Sequence, residues 1–154
     1  MANRPKLHIY FDMDYTLIGI SGDLRPGVKR NFKKLKRAGH LLYIWSGVGI
    51  RSREVTQLGL ACYVVGVFEK PTQDYQHQVQ NMIKRGEIPV LPDLVIDDYP
   101  EIVSALGGIV IKPYLRSDHN DNEMDKMQNI ISEYHQTGHC DNSAFRPLHR
   151  LSGS

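Results

Sequence analysis

The feature that most constrains the fold of this chain is a regular alternation between short strand-like runs and segments with helical periodicity. The strand-like runs lie at residues 7–11, 41–45, 61–68, 93–98 and 109–111, and the helical segments lie at 26–38, 50–58, 72–85, 99–106 and 121–135. Several of the strand-like runs are continuously apolar, which is typical of strands buried on both faces of a parallel sheet. The alternation of strands and helices indicates the α/β class.

The first helical segment shows the pattern most clearly. Val28, Phe32 and Leu35 recur at helical spacing and therefore share one face. Pro26 suits a first helical turn, and Gly39 suits the end of a helix. Taken with the other segments, the pattern predicts a three-layer, Rossmann-like fold. Its central parallel sheet would have about five strands, with helices on both faces.

Polar side chains follow four of the predicted strands at the point where each strand ends. They are the carboxylates of Asp12 and Asp14, the hydroxyl of Ser46, the amine of Lys70 and the adjacent carboxylates of Asp97 and Asp98. In open parallel sheets, ligands bind outside the carboxyl ends of the strands. We therefore expect these side chains, which are dispersed in sequence, to meet at one edge of the sheet.

This set of side chains has a coherent chemistry. Clustered carboxylates repel one another and need a cation, and a small set of oxygen ligands suits Mg²⁺, which often shares its coordination shell with a phosphate. A carboxylate can also attack phosphorus and form an aspartyl-phosphate. A lysine and a serine can hold the phosphoryl oxygens as negative charge develops on them.

The same residues stand in motifs that resemble those of the haloacid dehalogenase superfamily of phosphatases. The first motif of that family is an apolar strand followed by DxDxT, here YFDMDYTL. The second is a serine or threonine that closes a strand, here LLYIWSG, and the third is a lysine, here in FEKP. The fourth is an acidic pair after a strand, here LVIDDYPE. All four occur in the family's order within residues 7–112.

The resemblance implies a role for each motif residue. Asp12 would be the nucleophile that attacks phosphorus. Asp14 would be the general acid for the leaving oxygen and later the base that activates water. Ser46 and Gly47, together with Lys70, would bind the phosphoryl group of the substrate.

The resemblance also implies a Mg²⁺ site. Its ligands would come from Asp12, from the backbone carbonyl of Asp14 and from the acidic pair, Asp97 and Asp98. Within the pair, Asp98 is the expected direct ligand with Asp97 alongside, and the sequence leaves open which of the two binds the metal.

The spacing of the motifs leaves no room for the cap domain that covers the site in many members of the family. The first gap holds one loop and one helix, and the second holds a helix, a strand and little else. We therefore expect one domain at residues 1–136, without a cap insertion and with an open active site. The polar residues 137–154 are expected to form a flexible tail.

An open site leaves several substrates in consideration. A Mg²⁺-dependent phosphomonoesterase acting on a nucleotide or a phosphorylated polynucleotide end is the leading hypothesis. A sugar-phosphate or phosphoprotein phosphatase of the same fold is one alternative. A non-catalytic module that binds phosphate or a partner protein is the alternative from a different functional class.

Two other sequence features, a basic helix face and a group of histidines with a cysteine, are weaker indications of function than the four motifs. The first helical segment carries six basic residues that could follow a nucleic-acid backbone, although a solvated helix surface is the favoured interpretation. These residues are Lys29, Arg30, Lys33, Lys34, Lys36 and Arg37. A zinc site at His135, His139 and Cys140 is not favoured, because no fourth ligand stands at a suitable spacing.

Composition sets the remaining expectations. The formal net charge of +2 over 154 residues is too small to imply binding to nucleic acid or to a membrane surface. No apolar run is long enough to span a bilayer, and the N-terminal residues lack the pattern of a signal peptide. The two cysteines have no metal-binding or redox spacing. We therefore expect a cytoplasmic protein whose thiols are reduced, and the sequence does not specify its oligomeric state.

Overall fold

The computed structural model describes residues 5–148. Its strands are β1 (His8–Asp12), β2 (Leu41–Ser46), β3 (Gly66–Glu69), β4 (Leu94–Asp97), β5 (Gly108–Val110) and β6 (Phe145–Arg146). Its helices are α1 (Val28–Arg37), α2 (Ser52–Gln57), α3 (Tyr75–Lys84), α4 (Pro100–Leu106) and α5 (Glu123–Thr137), and a short 3₁₀ turn lies at Ala61–Tyr63. Strands and helices alternate from β1 to α5, as the sequence pattern predicts.

The strands form one sheet in the order β3-β2-β1-β4-β5-β6. The first five of these strands are parallel, and β6 pairs antiparallel with β5. This confirms the predicted α/β, Rossmann-like fold. Because β1 lies at the centre, between β2 and β4, the residues that end these three strands are neighbours at one edge of the sheet.

Each face of the sheet packs against its own hydrophobic layer. Ile9, Phe11 and Ile44 point to one face, where the residues of α1 and α5 cover them. Tyr10 and Trp45 point to the other face, where α3 and α4 cover them. Successive residues of a strand point to opposite faces, so β1 and β2 are buried on both sides. The two layers hold the ends of the central strands in fixed positions.

The predicted third strand is wrong over its first half. The apolar run from Ala61 to Phe68 reads as one strand, but Ala61–Tyr63 forms a 3₁₀ turn and pairing begins only near Gly66. The turn is closed by the N–H of Tyr63, which donates to the carbonyl of Leu60. The ring of Tyr63 packs edge-on against Phe32 of α1, so this part of the apolar run contacts the core from a turn rather than from a strand.

The prediction of a loose tail from residue 137 is also wrong for the part that the structure describes. Residues Phe145–Arg146 form β6, which pairs with β5 and extends the sheet. The Phe145 side chain is buried and its ring lies 4.9 Å from the ring of Tyr134 in α5. Pairing with β5 and burial of Phe145 together hold this segment on the core. Residues 149–154 lie outside the described range.

Candidate active site

The polar residues at the strand ends line one cleft at the carboxyl edge of the sheet. The cleft has a volume of about 370 Å³. Its lining includes all of the motif residues named above, namely Asp12, Asp14, Ser46, Gly47, Lys70, Asp97 and Asp98. The sequence-based expectation that these side chains meet at one edge agrees with this geometry, and the chemistry of the cleft depends on how they contact one another.

A tight loop after β1 turns the chain back over the end of the strand. The carbonyl of Met13 accepts hydrogen bonds from the N–H groups of Thr16, Leu17 and Ile18. Between them, Tyr15 has a φ of 65°, a left-handed conformation that is uncommon for a residue other than glycine. The loop therefore places Asp14 and Tyr15 above the end of β1, beside Asp12.

Lys70 joins the ends of two strands by ion pairs. Its Nζ atom donates to Oδ1 of Asp12 and to Oδ2 of Asp97, both at 2.9 Å. Burial opposes the charge on the amine, but the two carboxylates outweigh it and raise the pKa of Lys70. Lys70 is therefore a fixed cation between β1 and β4.

Asp12 is nearly buried, and its charge is poorly compensated. Burial and the neighbouring charge of Asp97 raise the pKa of the Asp12 carboxyl to about 7, even though Lys70 acts in the opposite direction. Its second oxygen, Oδ2, accepts a hydrogen bond of 3.2 Å from the hydroxyl of Thr16. Both carboxylate oxygens of Asp12 are thus held in place. The single positive charge of Lys70 does not balance the negative charges of Asp12 and its neighbouring acids.

A group of three carboxylates is suited to supply that missing charge by holding a cation. Each of Asp12, Asp97 and Asp98 offers an oxygen, and these oxygens lie within 4.8 Å of one another. Three carboxylates face one lysine, so the donor set is all-oxygen and has an excess of negative charge. This is the chemistry that Mg²⁺ prefers, and the residues present fit such an ion.

The two acids after β4 differ in how many bonds they already accept. Asp97 is fully buried, with Oδ2 bonded to Lys70 and Oδ1 accepting a 2.9 Å bond from the N–H of Tyr99. Asp98 is partly exposed and accepts one long bond, 3.4 Å from the hydroxyl of Thr16. Asp98 consequently has the greater capacity for an additional ligand, whereas Asp97 is committed to protein donors.

Ser46 and Gly47 form the opposite wall of the cleft. Ser46 ends β2, and its backbone carbonyl accepts a 2.9 Å bond from the N–H of Lys70, which fixes the two strand ends side by side. Its Oγ accepts a bond of 3.3 Å from the N–H of Val48. A Cβ on Gly47 would lie only 3.1 Å from the methyl group of Thr72, so a side chain there would crowd the wall.

Arg51 contacts two residues of the cleft, Asp14 and Ser46, and the sequence did not reveal this position. Its NH1 nitrogen donates to Oδ2 of Asp14 at 2.6 Å and lies 3.5 Å from Oγ of Ser46. Its Nε and NH2 nitrogens both donate to the carboxylate of Glu54. These bonds to Glu54 and Asp14 raise the pKa of Arg51 although burial opposes its charge. No spacing rule connects residues 14 and 51, so only the fold could identify this pair.

The weaker sequence signals lie away from the cleft. The Sγ atom of Cys140 donates to Glu133, and His139 pairs with Asp141. Arg30 on α1 pairs with Asp125 of α5, while the other basic residues of α1 are exposed. None of these residues lines the cleft, so they do not contribute to its chemistry.

Comparisons with known proteins add a fold relationship. No family model and no curated protein matches the sequence at a significant level. A solution structure of the core domain of "a putative phosphoglycolate phosphatase" from Streptococcus pneumoniae TIGR4 is similar in three dimensions, with a TM-score of 0.50 at 14% sequence identity. The match covers 79% of this chain and 88% of that core domain. At this identity, the similarity extends to the fold alone.

The described helices also bear on membrane association. Over residues 5–148, none of them combines the length and the apolar composition that crossing a bilayer requires.

Proposed function

We propose that the protein is a Mg²⁺-dependent phosphomonoester hydrolase of the haloacid dehalogenase type, acting through an aspartyl-phosphate at Asp12. The observation that carries the proposal is the position of Asp12, which lies between a fixed lysine and an unbalanced group of acids. A structural carboxylate would have its charge matched by its partners. The similar fold of the streptococcal core domain, together with the four motifs, supports the same conclusion.

In the first step, an oxygen of Asp12 attacks phosphorus and the bond from phosphorus to the ester oxygen breaks. The proton of the Asp14 carboxyl passes to the departing oxygen, so that an alcohol leaves rather than an alkoxide. Lys70 and the hydroxyl of Ser46 hold the phosphoryl oxygens, because both line the cleft beside Asp12. Fixed donors of this kind stabilise the charge that develops in the transition state.

In the second step, water hydrolyses the aspartyl-phosphate. The Asp14 carboxylate takes a proton from the water as its oxygen attacks phosphorus, and the bond between phosphorus and Asp12 breaks. Inorganic phosphate leaves, and both carboxyl groups return to their starting states. The same side chain therefore acts as the acid in one step and as the base in the next.

Arg51 acts on Asp14 rather than on phosphorus. Glu54 binds two of the guanidinium nitrogens, which leaves NH1 to contact Asp14 and Ser46. The 2.6 Å ion pair with Asp14 holds that side chain in place beside the cleft. A phosphoryl group near Ser46 would compete for NH1, and this competition would release the Asp14 side chain to reach the departing oxygen.

The metal ligands would be Asp12 and Asp98, together with the backbone carbonyl of Asp14. When bound, the ion would offset the negative charges of the acids and of the phosphate, so that the Asp12 carboxylate is available as a nucleophile. Asp97 would instead hold Lys70, because both of its oxygens already accept bonds from protein donors. The substitutions Asp98→Asn and Asp97→Asn separate these two roles.

The proposed substrate is a nucleotide or a phosphorylated polynucleotide end. Between β1 and β2 the chain has only a loop and α1, and between β2 and β3 only α2 and the 3₁₀ turn. Neither connection is large enough to form a cap domain, so bulky phosphate esters have access to the cleft. Sugar phosphates and phosphoproteins are the alternative substrates, and we propose that the enzyme acts in the cytoplasm.

Phosphate release from a panel of esters tests the proposal. The panel contains nucleotides, oligonucleotides phosphorylated at either end, sugar phosphates, phosphopeptides and an aryl phosphate, each with Mg²⁺ and with a chelator. Asp12→Asn is the matched control, since the amide has nearly the same size but is a poor nucleophile. We expect release that requires both Mg²⁺ and Asp12. Stoichiometric phosphate binding without turnover would instead identify a non-catalytic phosphate-binding module.

A further inference from the structure

The cleft has an apolar rim that the proposed chemistry does not use. Tyr15, Val48 and Tyr99 line the cleft together with the motif residues, yet their side chains are 40%, 77% and 49% exposed. We call these three residues the rim. Large apolar side chains that remain exposed around a polar cleft are typical of a binding surface.

Each rim residue is fixed by the same backbone that carries a proposed site residue. Tyr15 directly follows Asp14, and Tyr99 directly follows Asp98. The N–H of Tyr99 donates to Oδ1 of Asp97, and the N–H of Val48 donates to Oγ of Ser46. The backbone of each rim residue is therefore positioned together with that of a proposed site residue.

Tyr15 occupies a backbone position where tyrosine is unfavourable. Its φ of 65° lies in the left-handed region that glycine adopts without penalty. The conformation is imposed by its surroundings, since its N–H donates to the carbonyl of Ile18 and its carbonyl accepts from the N–H of Tyr114. Tyr15 belongs to neither hydrophobic layer of the sheet, so packing of the core does not account for a tyrosine at this strained position.

We infer that the rim binds a planar aromatic group in the alcohol part of the substrate, with the rings of Tyr15 and Tyr99 as the main contacts. This inference rests on the proposed function, because the phosphate of the same molecule occupies the cleft beside Asp12. Aromatic rings gain favourable contact with tyrosine over their apolar faces, while the open side of the cleft leaves the rest of the alcohol in water. A nucleobase and a phenol share this chemistry.

The test measures binding as well as turnover. Three ligands are compared: phenyl phosphate, a nucleoside monophosphate and glycerol phosphate, which has no ring. Their dissociation constants are measured by calorimetry on Asp12→Asn, which does not turn over, and on the same variant carrying Tyr15→Gly or Tyr99→Ala. KM and kcat are measured for the same three esters on the single variants Tyr15→Gly and Tyr99→Ala.

Tyr15→Gly has an additional expected signature. It should weaken binding of the ring-containing esters by roughly 5- to 150-fold, the range that stacking of a base on an aromatic side chain contributes. It should leave the affinity for glycerol phosphate unchanged. Because glycine accepts the left-handed conformation, the thermal midpoint should stay the same or rise. Asp74→Gly is the matched control, since Asp74 has a φ of 46° and does not line the cleft.

The outcomes separate this inference from the proposed function. A loss of affinity for all three esters alike, or for none of them, would overturn the aromatic assignment. The ester with the larger loss in Tyr15→Gly identifies the source of the ring as a nucleobase or a phenol. If wild-type protein shows no Asp12-dependent turnover of any ester, the proposed function fails, whereas turnover without a ring preference removes only the present inference.

Discussion

Two basic residues, the buried Arg25 and the partly buried Lys70, show how differently a fold can treat a cation. The Arg25 side chain is fully buried and forms two bonds with a single acid, Asp121, at 2.7 and 2.9 Å. Its NH1 nitrogen also donates to the carbonyl of Thr16 at 3.2 Å. One cation, one acid and a neutral carbonyl leave the Arg25 site balanced, and it joins the loop after β1 to the segment before α5.

The Lys70 site is unbalanced by comparison. One amine faces the carboxylates of Asp12, Asp97 and Asp98, which lie within one small cluster. Burial of such a cluster costs free energy that the lysine alone cannot offset. A buried charge that is balanced by its partners therefore indicates a structural ion pair. A cluster with an excess of negative or positive charge instead indicates a site where a ligand of the opposite charge binds. We therefore expect a substitution at Arg25 to lower mainly the stability of the protein and a substitution at Lys70 to lower mainly its activity.

The largest effect is expected from Arg25→Met. Methionine retains an apolar stem but leaves the carboxylate of Asp121 without its partner, and breaking a buried pair costs about 3–5 kcal/mol. Urea unfolding should show that loss in the free energy of unfolding. Asp121→Asn in the Arg25→Met background should recover part of it, since the remaining unpaired charge is removed. A variant as stable as wild type would mean that the ion pair between Arg25 and Asp121 does not stabilise the fold.

Lys70→Met should reverse this pattern. Removing a fixed donor at the phosphoryl site should lower kcat/KM by about 10²–10³-fold, as loss of one transition-state donor does in other enzymes. With Mg²⁺ present, the free energy of unfolding should fall much less than in Arg25→Met, because the ion compensates the acids. Steady-state kinetics and unfolding of the same preparation give both values. A loss confined to stability would assign Lys70 to the fold instead.

The third prediction concerns Asp14 and its need for a proton. Asp14→Asn should lose activity on an alkyl phosphate by roughly tenfold to a hundredfold more than on an aryl phosphate with a good leaving group, because only the alkoxide needs a proton to leave. Single-turnover formation of the phospho-enzyme is the appropriate measurement, since Asp14 also serves in its hydrolysis. Equal losses on both esters would exclude Asp14 as the acid.

The smallest effect is a pH dependence of stability in the absence of divalent cations. Burial and Asp97 raise the pKa of Asp12 to about 7 from an ordinary value of 3.8, so the folded protein binds more protons than the unfolded chain between these values. Stability is therefore lost progressively as the pH rises from about 3.8 to 7, and the loss is complete above about pH 7. Asp12→Asn should be more stable than wild type there, by on the order of 1–2 kcal/mol.

The same difference should shrink as the pH falls from 7 and disappear below about pH 3.8, where Asp12 is protonated in both the folded and the unfolded states. His40 contributes to the pH dependence of stability in both proteins, because burial and the neighbouring His135 lower its pKa to about 4. That shift removes stability as the pH falls from 6.5 and acts equally in both proteins, so it cancels in the difference. Saturating Mg²⁺ should abolish the advantage of Asp12→Asn. An advantage that persists with Mg²⁺ would contradict a cation site at Asp12.

The sequence predicted what local patterns determine. The apolar run before Asp12, the helical spacing of α1 and the polar residues at the strand ends all follow from periodicity and from the geometry of parallel sheets. The 3₁₀ turn at Ala61–Tyr63 did not follow, because apolar composition alone does not distinguish a turn from a strand. The two residues of β6 are too few to give a pattern, and their position depends on burial of Phe145.

The long-range ion pairs could not be predicted from the sequence, for a different reason. Arg25 and Asp121 are separated by 96 positions, and Arg51 and Asp14 by 37. Each arginine stands among turn formers, where an exposed side chain is the ordinary expectation. The contacts of both arginines depend on how the sheet brings the loops together, and local sequence spacing does not predict that arrangement.

Chemical trapping of the phospho-enzyme tests the central claim most directly. Borohydride reduces an acyl phosphate to an alcohol, so quenching the protein during turnover with borohydride would convert a phosphorylated aspartate to homoserine. Mass spectrometry of the resulting peptides locates the modified residue. We expect homoserine at position 12 alone, and only when substrate and Mg²⁺ are both present. With an aryl phosphate, whose cleavage does not need the acid, the yield should be larger in Asp14→Asn because hydrolysis is slowed. Turnover with no homoserine at position 12, or with homoserine at another acid, would contradict the assignment of Asp12 as the nucleophile.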